Sequence, residues 1–313
     1  MWTMRTRQLS LVVLVAIVAA VPAACGRVAD APDGGGRAEA GGVPTAYVVN
    51  EPLAYFARRI AGGLVSVVFP IRPGVDPAFW MPDAETIRAY QLADVILLNG
   101  AGYARWVQMA ALPQSRIVDT SASFADAYIV VAKSITHQHG PTGEHTDGTV
   151  AFTTWLDPTL AVMQADAVRA AFVRLLPEHA ETFQQNFERL ADDLNDLDDR
   201  FRATVAPQPV IFSHPVYQYL ARRYGLNARS LHWEPDVSPT EAMWTQLQRL
   251  LAEHPAHWMI WEARPATPVV ARLAEMGIEC AVVDPCANAP AEADYLAIQR
   301  QNAESLAAVF APP

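Results

Sequence analysis

Phe183, Phe187, Leu190, Leu194, Leu197 and Phe201 recur at spacings of 4, 3, 4, 3 and 4 residues. That is the period of one apolar helical stripe, and it predicts a continuous helix of about seven turns over Pro177 to Thr204. The opposite face, with Asp192, Asp193, Asp196, Asp198, Asp199 and Arg200, is a solvated surface. So long a helix in mid-chain divides the sequence, and strands alternate with helices on both sides of it. Before it come a strand at Ala46–Val49, a helix from Leu53 to Ala61 closed by Gly62-Gly63, and a strand at Val65–Ile71. The turn Arg72-Pro-Gly-Val-Asp-Pro77, a helix from Asp83 to Gln91 and a buried strand at Val95–Leu98 follow. After the long helix a second series begins at Val210 and runs through Trp258–Trp261, a helix near Pro268–Met276, a strand at Ala281–Asp284 and a last helix from Ala291 to Val309.

Such alternation favours parallel sheets with helices on both faces. The expected fold is α/β: two lobes, each a parallel-sheet βα sandwich, joined by a long rigid α-helix. The expected divisions are an N-terminal lobe at 45–155, a helical linker at 156–206 and a C-terminal lobe at 207–313. A chain of 313 residues, 51% hydrophobic, has enough apolar material for both. The formal net charge of −10 argues against nucleic-acid binding, which calls for a basic face.

The first residues read as an export signal. Arg5 and Arg7 precede an apolar run from Leu9 to Val21, too short for a comfortable membrane span, and Pro-Ala-Ala-Cys closes it at 22–25. Cys after Ala-Ala resembles a lipobox, which predicts a signal segment at 1–24, lipidation of Cys25 and a Gly-rich tether at 25–44. The expected location is outside the cytoplasm, held to a membrane by lipid. Cys280 and Cys286 flank a predicted strand, whose extension keeps the two sulfurs too far apart for a disulfide.

In Val210-Ile-Phe-Ser-His-Pro-Val-Tyr-Gln-Tyr-Leu-Ala-Arg-Arg-Tyr-Gly-Leu226 an apolar strand delivers His214 to its C-terminal end, just before an amphipathic helical stretch. α/β sheets bind ligands in the crevice outside such strand ends. This segment resembles the third metal-ligand region of the zinc and manganese substrate-binding proteins of ABC transporters. Asn50-Glu-Pro-Leu-Ala-Tyr-Phe-Ala-Arg-Arg-Ile-Ala-Gly62, Pro73-Gly-Val-Asp-Pro77, Ala93-Asp-Val-Ile-Leu-Leu-Asn-Gly100 and Trp155-Leu-Asp-Pro158 resemble other stretches of that family, in the same order. The resemblance covers about 45–313. It implies capture of a divalent cation, zinc or alternatively manganese, as the transported ligand, delivery to an ABC permease, and a monomer without catalytic activity. It also implies that the connecting helix restricts lobe motion.

The resemblance implies four ligands. His214 matches the third and Asp284, in Val-Val-Asp-Pro285, the fourth, with Glu262 near the cleft. The first two positions hold Ala78 and Thr153: alanine has no donor, and a neutral threonine hydroxyl is a poor zinc ligand. His214 alone also suits a hydrogen-bonded core histidine, and Asp284 equally suits capping of the turn that follows it. A His-rich segment at 134–149 holds His137, His139 and His145, either as substitute donors folded into the cleft or as a plain surface loop. Loss of two ligands leaves open an accessory or interaction lipoprotein with lost or weak metal binding. Met81 and Cys286 with His214 form a minor copper(I) possibility. His232 and Glu234, in Leu231-His-Trp-Glu-Pro235, are the candidates for acid–base chemistry, although no phosphate loop, nucleophile elbow or His-Glu-x-x-His helix accompanies them.

Overall fold

The structure, a computed structural model, describes residues 42–131, 150–288 and 294–311, together with the backbone of 136–138 and 144–146. The expected signal segment 1–24, Cys25, the tether up to residue 41 and His139 lie outside the described residues. Among the described residues no helix is long and apolar enough to cross a membrane.

The first half contains β1 (Thr45–Val48), α1 (Glu51–Ala61), β2 (Ser66–Val68), α2 (Ala84–Leu92), β3 (Val95–Leu98) and β4 (Ile117–Asp119). Asn50 caps α1 by accepting from the Leu53 N–H at 3.1 Å, and Gly62 ends the helix in the left-handed region at φ 55°, where a side chain is disfavoured. β2 is shorter than expected; Pro70 in that run has no N–H to give a ladder. A short antiparallel pair, β5 (Thr136–Gln138) and β6 (Glu144–Thr146), precedes α3 (Pro158–Leu175) and the long α4 (Ala180–Thr204).

The second half contains β7 (Val210–Phe212), α5 (Gln218–Tyr224), β8 (Ala228–Ser230), α6 (Glu241–Glu253), β9 (Trp258–Trp261), α7 (Thr267–Glu275), β10 (Glu279–Val282) and α8 (Tyr295–Val309). β10 lies two residues earlier than the sequence predicts, with Val282 opposite Trp261. α5 begins only at Gln218, so a short loop separates His214 from it.

Both four-stranded sheets are parallel, in the orders β2-β1-β3-β4 and β10-β9-β7-β8. Numbered within its own half, each sheet runs second, first, third, fourth strand. The two halves therefore repeat one topology, and each has a switch point between its first and third strands, where such sheets leave a crevice.

α4 follows a 3-10 turn at Pro177–His179, so it starts later than predicted, and its stripe is the predicted one. Phe183, Leu190, Leu194, Leu197 and Phe201 are buried, and α4 packs against α1 and α3 on one side of the chain and α8 on the other. Polar ties hold it to both halves. Asn186 donates to the Ile60 carbonyl at 2.9 Å and Arg59 meets Asp193 at 2.7 Å. Asp198 accepts two bonds from Arg223, at 2.9 and 2.6 Å, and one from the Tyr224 hydroxyl at 2.8 Å. Burial pushes the Asp198 carboxyl up, but these donors and Arg202 outweigh it and hold the pKa at about 2.

Candidate metal site

The strand ends of the second sheet carry the chemistry. β7 ends at Phe212 and β9 at Trp261, so His214 and Glu262 stand just past the two strands that flank the switch point. Backbone pairing outlasts the strands: Ser213 N–H donates to the Ile260 carbonyl at 2.8 Å, Leu231 to Phe212 at 2.9 Å, and Trp233 to Ser213 at 2.7 Å. The chain beyond β8 thus stays extended, and its side chains alternate. Leu231 and Trp233 are buried in a core with Trp244 and Trp261, while His232 and Glu234 line a cavity. Along the rim the order is Asp284, Glu262, His214, Glu234, one residue per strand end.

His214 is the centre of this row and is almost fully buried, at 3% exposure. Its Nε2 lies 3.4 Å from Glu234 Oε1 and its Nδ1 lies 3.9 Å from Glu262 Oε1. The His232 ring meets that of His214 edge to face at 6.0 Å. One donor atom from each of His214, Glu234 and Glu262 falls within a 4.8 Å span, the one such group of three among the described residues. Tetrahedral zinc holds its donors about 3.3 Å apart at bond lengths of about 2.0–2.1 Å, so side-chain shifts of about an ångström would close the set on an ion.

Asp284 lines the same cavity but stands outside that group. Its carboxylate accepts the Cys286 N–H at 2.7 Å, its backbone is held by Asn302, and burial raises its pKa against that bond. Turn capping, one of the two roles open to it in sequence, is a role it has.

The wall contributed by the first half is different. Ala78 is buried, with its N–H on Asp76 Oδ1 at 2.9 Å, and Thr153 donates its hydroxyl to the Val216 carbonyl at 2.6 Å. Around them stand Phe79, Trp80, Tyr103, Phe152 and Trp155. The Tyr103 ring packs edge-on against Phe152 and Trp155 at 5.2 and 5.5 Å. Its buried hydroxyl has no hydrogen-bond partner among the described residues. The cavity between the walls measures about 1200 Å³.

The remaining sequence candidates are placed less centrally. His137 and His145 are directly paired in the antiparallel register of β5 and β6. Val131 and Val150, flanking the segment, line the cavity. Met81 is exposed, whereas Cys286 is wholly buried with its thiol pushed up by burial and by Asp284. Cys280 and Cys286 are both free, consistent with the sequence expectation.

The chain matches the family described as "ZnuA: Zinc-uptake complex component A periplasmic" over residues 47–309. It belongs to that family. The zinc-binding lipoprotein AdcA of Streptococcus pneumoniae is 23% identical over 269 residues, which cover 82% of this chain and 53% of that protein. The iron-binding protein YfeA of Yersinia pestis is 28% identical over 174 residues, covering 54% of this chain and 53% of that one. The chain spans about half the length of these curated relatives. Among solved structures, the metal-dependent lipoprotein YcdH from Bacillus subtilis superposes with a TM-score of 0.73 at 23% identity, covering 85% of this chain and 99% of that one. The Zn(II)-bound ZnuA-like domain of Streptococcus pneumoniae AdcA gives 0.74 at 18% identity, covering 87% and 100%. At these identities the shared property is the fold.

The ZnuA family is one of metal-binding transport components and not of enzymes, so acid–base catalysis by His232 and Glu234 gives way. Glu234 acquires a different meaning in this frame: it is a candidate ligand that sequence reasoning did not assign. The signal available was its place one residue beyond an extended Leu231–Trp233 stretch that alternates with buried rings.

Proposed function

We propose that the chain is the extracytoplasmic substrate-binding component of a metal ABC transporter. It captures a divalent cation, zinc first and manganese as the alternative, in the cavity between its halves and delivers it to a permease. His214, Glu234 and Glu262 hold the ion, and Asp284 supports the turn beside them. Export and lipidation at Cys25 would keep the receptor at the membrane, with the Gly-rich stretch as tether. The observation that carries this reading is the donor group on three neighbouring strand ends, in a cavity whose other titratable lining residues are largely acidic and so attract cations. Imidazole with two carboxylates is a donor set zinc accepts.

Zinc stoichiometry and affinity of the purified chain test it. One zinc per chain is expected, with His214→Ala weakening binding about a hundredfold and a variant lacking His137, His139 and His145 keeping it. Loss of tight binding only in the loop variant would move the ligand set to the hairpin. No stoichiometric zinc at micromolar concentration would favour the accessory-lipoprotein reading instead.

A further inference from the structure

We propose that Thr153 is a positioning residue for His214: its hydroxyl, from the first half, fixes the turn that carries the imidazole. The proposal rests on the metal reading above for what that imidazole holds.

His214 stands where the chain has left β7 and not yet entered α5. On the strand side the sheet sets its place, through the Ser213 N–H on the Ile260 carbonyl and the Trp233 N–H on the Ser213 carbonyl. Beyond His214 the chain turns at once. The Val216 N–H donates to the His214 carbonyl at 2.9 Å, a three-residue turn with Pro215 at its centre. The fixed φ of proline suits that position, but one hydrogen bond closes the turn and makes it weak by itself. Two side chains brace it. The Pro215 carbonyl accepts from the Gln218 side chain, and the Val216 carbonyl accepts the Thr153 hydroxyl at 2.6 Å. Of these braces only Thr153 comes from the first half.

Thr153 is itself firmly held. Its φ of −79° and ψ of 49° make it the centre of a matching turn, closed by the Thr154 N–H on the Phe152 carbonyl at 2.9 Å. The Phe152 carbonyl also takes Asn99 Nδ2 at 2.9 Å, and the Thr153 carbonyl takes the Leu156 N–H at 3.1 Å. Two residues on, Trp155 Nε1 donates to the Pro285 carbonyl at 2.7 Å, and the Trp155 carbonyl accepts the Tyr295 hydroxyl at 2.8 Å. Branching at Cβ limits the directions the hydroxyl can take, and at 4% exposure the residue is shielded from water. Two tight turns, one from each half, are thus joined by the Thr153 hydroxyl.

The brace reaches the donor group through one backbone link. The carbonyl that closes the second turn belongs to His214, whose Nε2 and Nδ1 lie 3.4 and 3.9 Å from Glu234 and Glu262. Metal ligands must be held to within about half an ångström, and loss of a group that orients one costs about 10- to 100-fold in affinity. Where the family resemblance implies a donor, this chain carries a residue that acts on the ion through its neighbour.

Zinc titrations of the purified full chain against a chelating indicator test this, together with amide hydrogen exchange of the zinc-free chain. Thr153→Val keeps the shape and removes the donor; it should weaken zinc about tenfold, and Thr153→Ser should bring affinity back to within about threefold. Tyr224→Phe removes a hydroxyl bond of similar length, 2.8 Å to Asp198, at the far end of α5, and should leave zinc within about twofold. In a His214→Ala background, Thr153→Val should cost less than about twofold more, because the two act in series. Without zinc, the Val216 amide should exchange about tenfold faster in Thr153→Val than in the parent chain. Equal weakening by Thr153→Val and Tyr224→Phe would reduce Thr153 to general stability and overturn the proposal. A full tenfold loss that persists without His214 overturns it too. Unchanged exchange at Val216 overturns it while the zinc receptor stands. If the parent chain binds no zinc the metal reading falls, and exchange at Val216 alone then upholds or overturns the hold of Thr153 on the His214 turn.

Discussion

The two sheets share one strand order but finish their strands in opposite chemical styles. Asn50 stands two residues past β1, as His214 does past β7; Asn99 stands one residue past β3, as Glu262 does past β9. In the first half these positions are a neutral network. Asn50 Nδ2 donates to Asn99 Oδ1 at 3.2 Å, Gln164 from α3 donates to the same oxygen at 3.2 Å and to Thr120 at 3.1 Å, and Asn99 Nδ2 donates to the Phe152 carbonyl at 2.9 Å. All four side chains are buried. In the second half the equivalent positions are ionisable and line the cavity. The same crevice of the same topology is sealed with amides on one side and lined with ionisable groups on a cavity on the other. A strand-end crevice is thus a vacancy that a chain either fills internally or keeps for a partner.

The sharpest way to break this comparison is to charge the sealed side. Asn99→Asp replaces an N–H donor by a carboxylate oxygen facing the Phe152 and Gly100 carbonyls, and should destabilise the fold by about 3–5 kcal/mol in urea unfolding. Next comes His214→Ala on the ligand side, where the expected loss is in zinc affinity, about 2.7 kcal/mol for a hundredfold change. Glu262→Gln, which keeps the shape and removes the charge, should weaken zinc about tenfold, or about 1.4 kcal/mol, and leave urea stability within about 0.5 kcal/mol. A large stability loss in that variant would show the ligand side to be structural after all. The smallest effect concerns pH. Asp198 ties α4 to the second half with a pKa lowered to about 2, so its contribution is complete above about pH 4 and is lost as pH falls towards 2. After allowance for solvent screening it amounts to about 1 kcal/mol, and Asp198→Asn should flatten that part of the acid unfolding curve.

Much of this fold was legible in the residues, because its signals are local. The α4 stripe, the buried runs at 95–98 and 258–261 and the capping Asn50 depend on neighbours within a turn or a strand. The elements that escaped notice have weaker local signatures. β8, Ala228–Ser230, is a three-residue edge strand containing Arg229, and its pairing past Leu231 depends on backbone bonds to β7 that no periodicity reports. For that reason Glu234 escaped assignment to the metal group, while His214, delivered by an apolar central strand, did not. Asp284 shows the converse: its motif placed it at a strand end, but only the fold reveals the Cys286 N–H on its carboxylate. The departures at Ala78 and Thr153 were visible as empty positions, whereas the aromatic wall around them is assembled from segments far apart in the chain.

The repeated strand order has an evolutionary consequence. His214, Glu234 and Glu262 all stand beyond the last residue of their strands, so their replacement leaves the assigned strands untouched. Those three positions can then change by point substitution while the scaffold is inherited whole, and TM-scores above 0.7 at 18–23% identity show how far sequence can diverge on this fold.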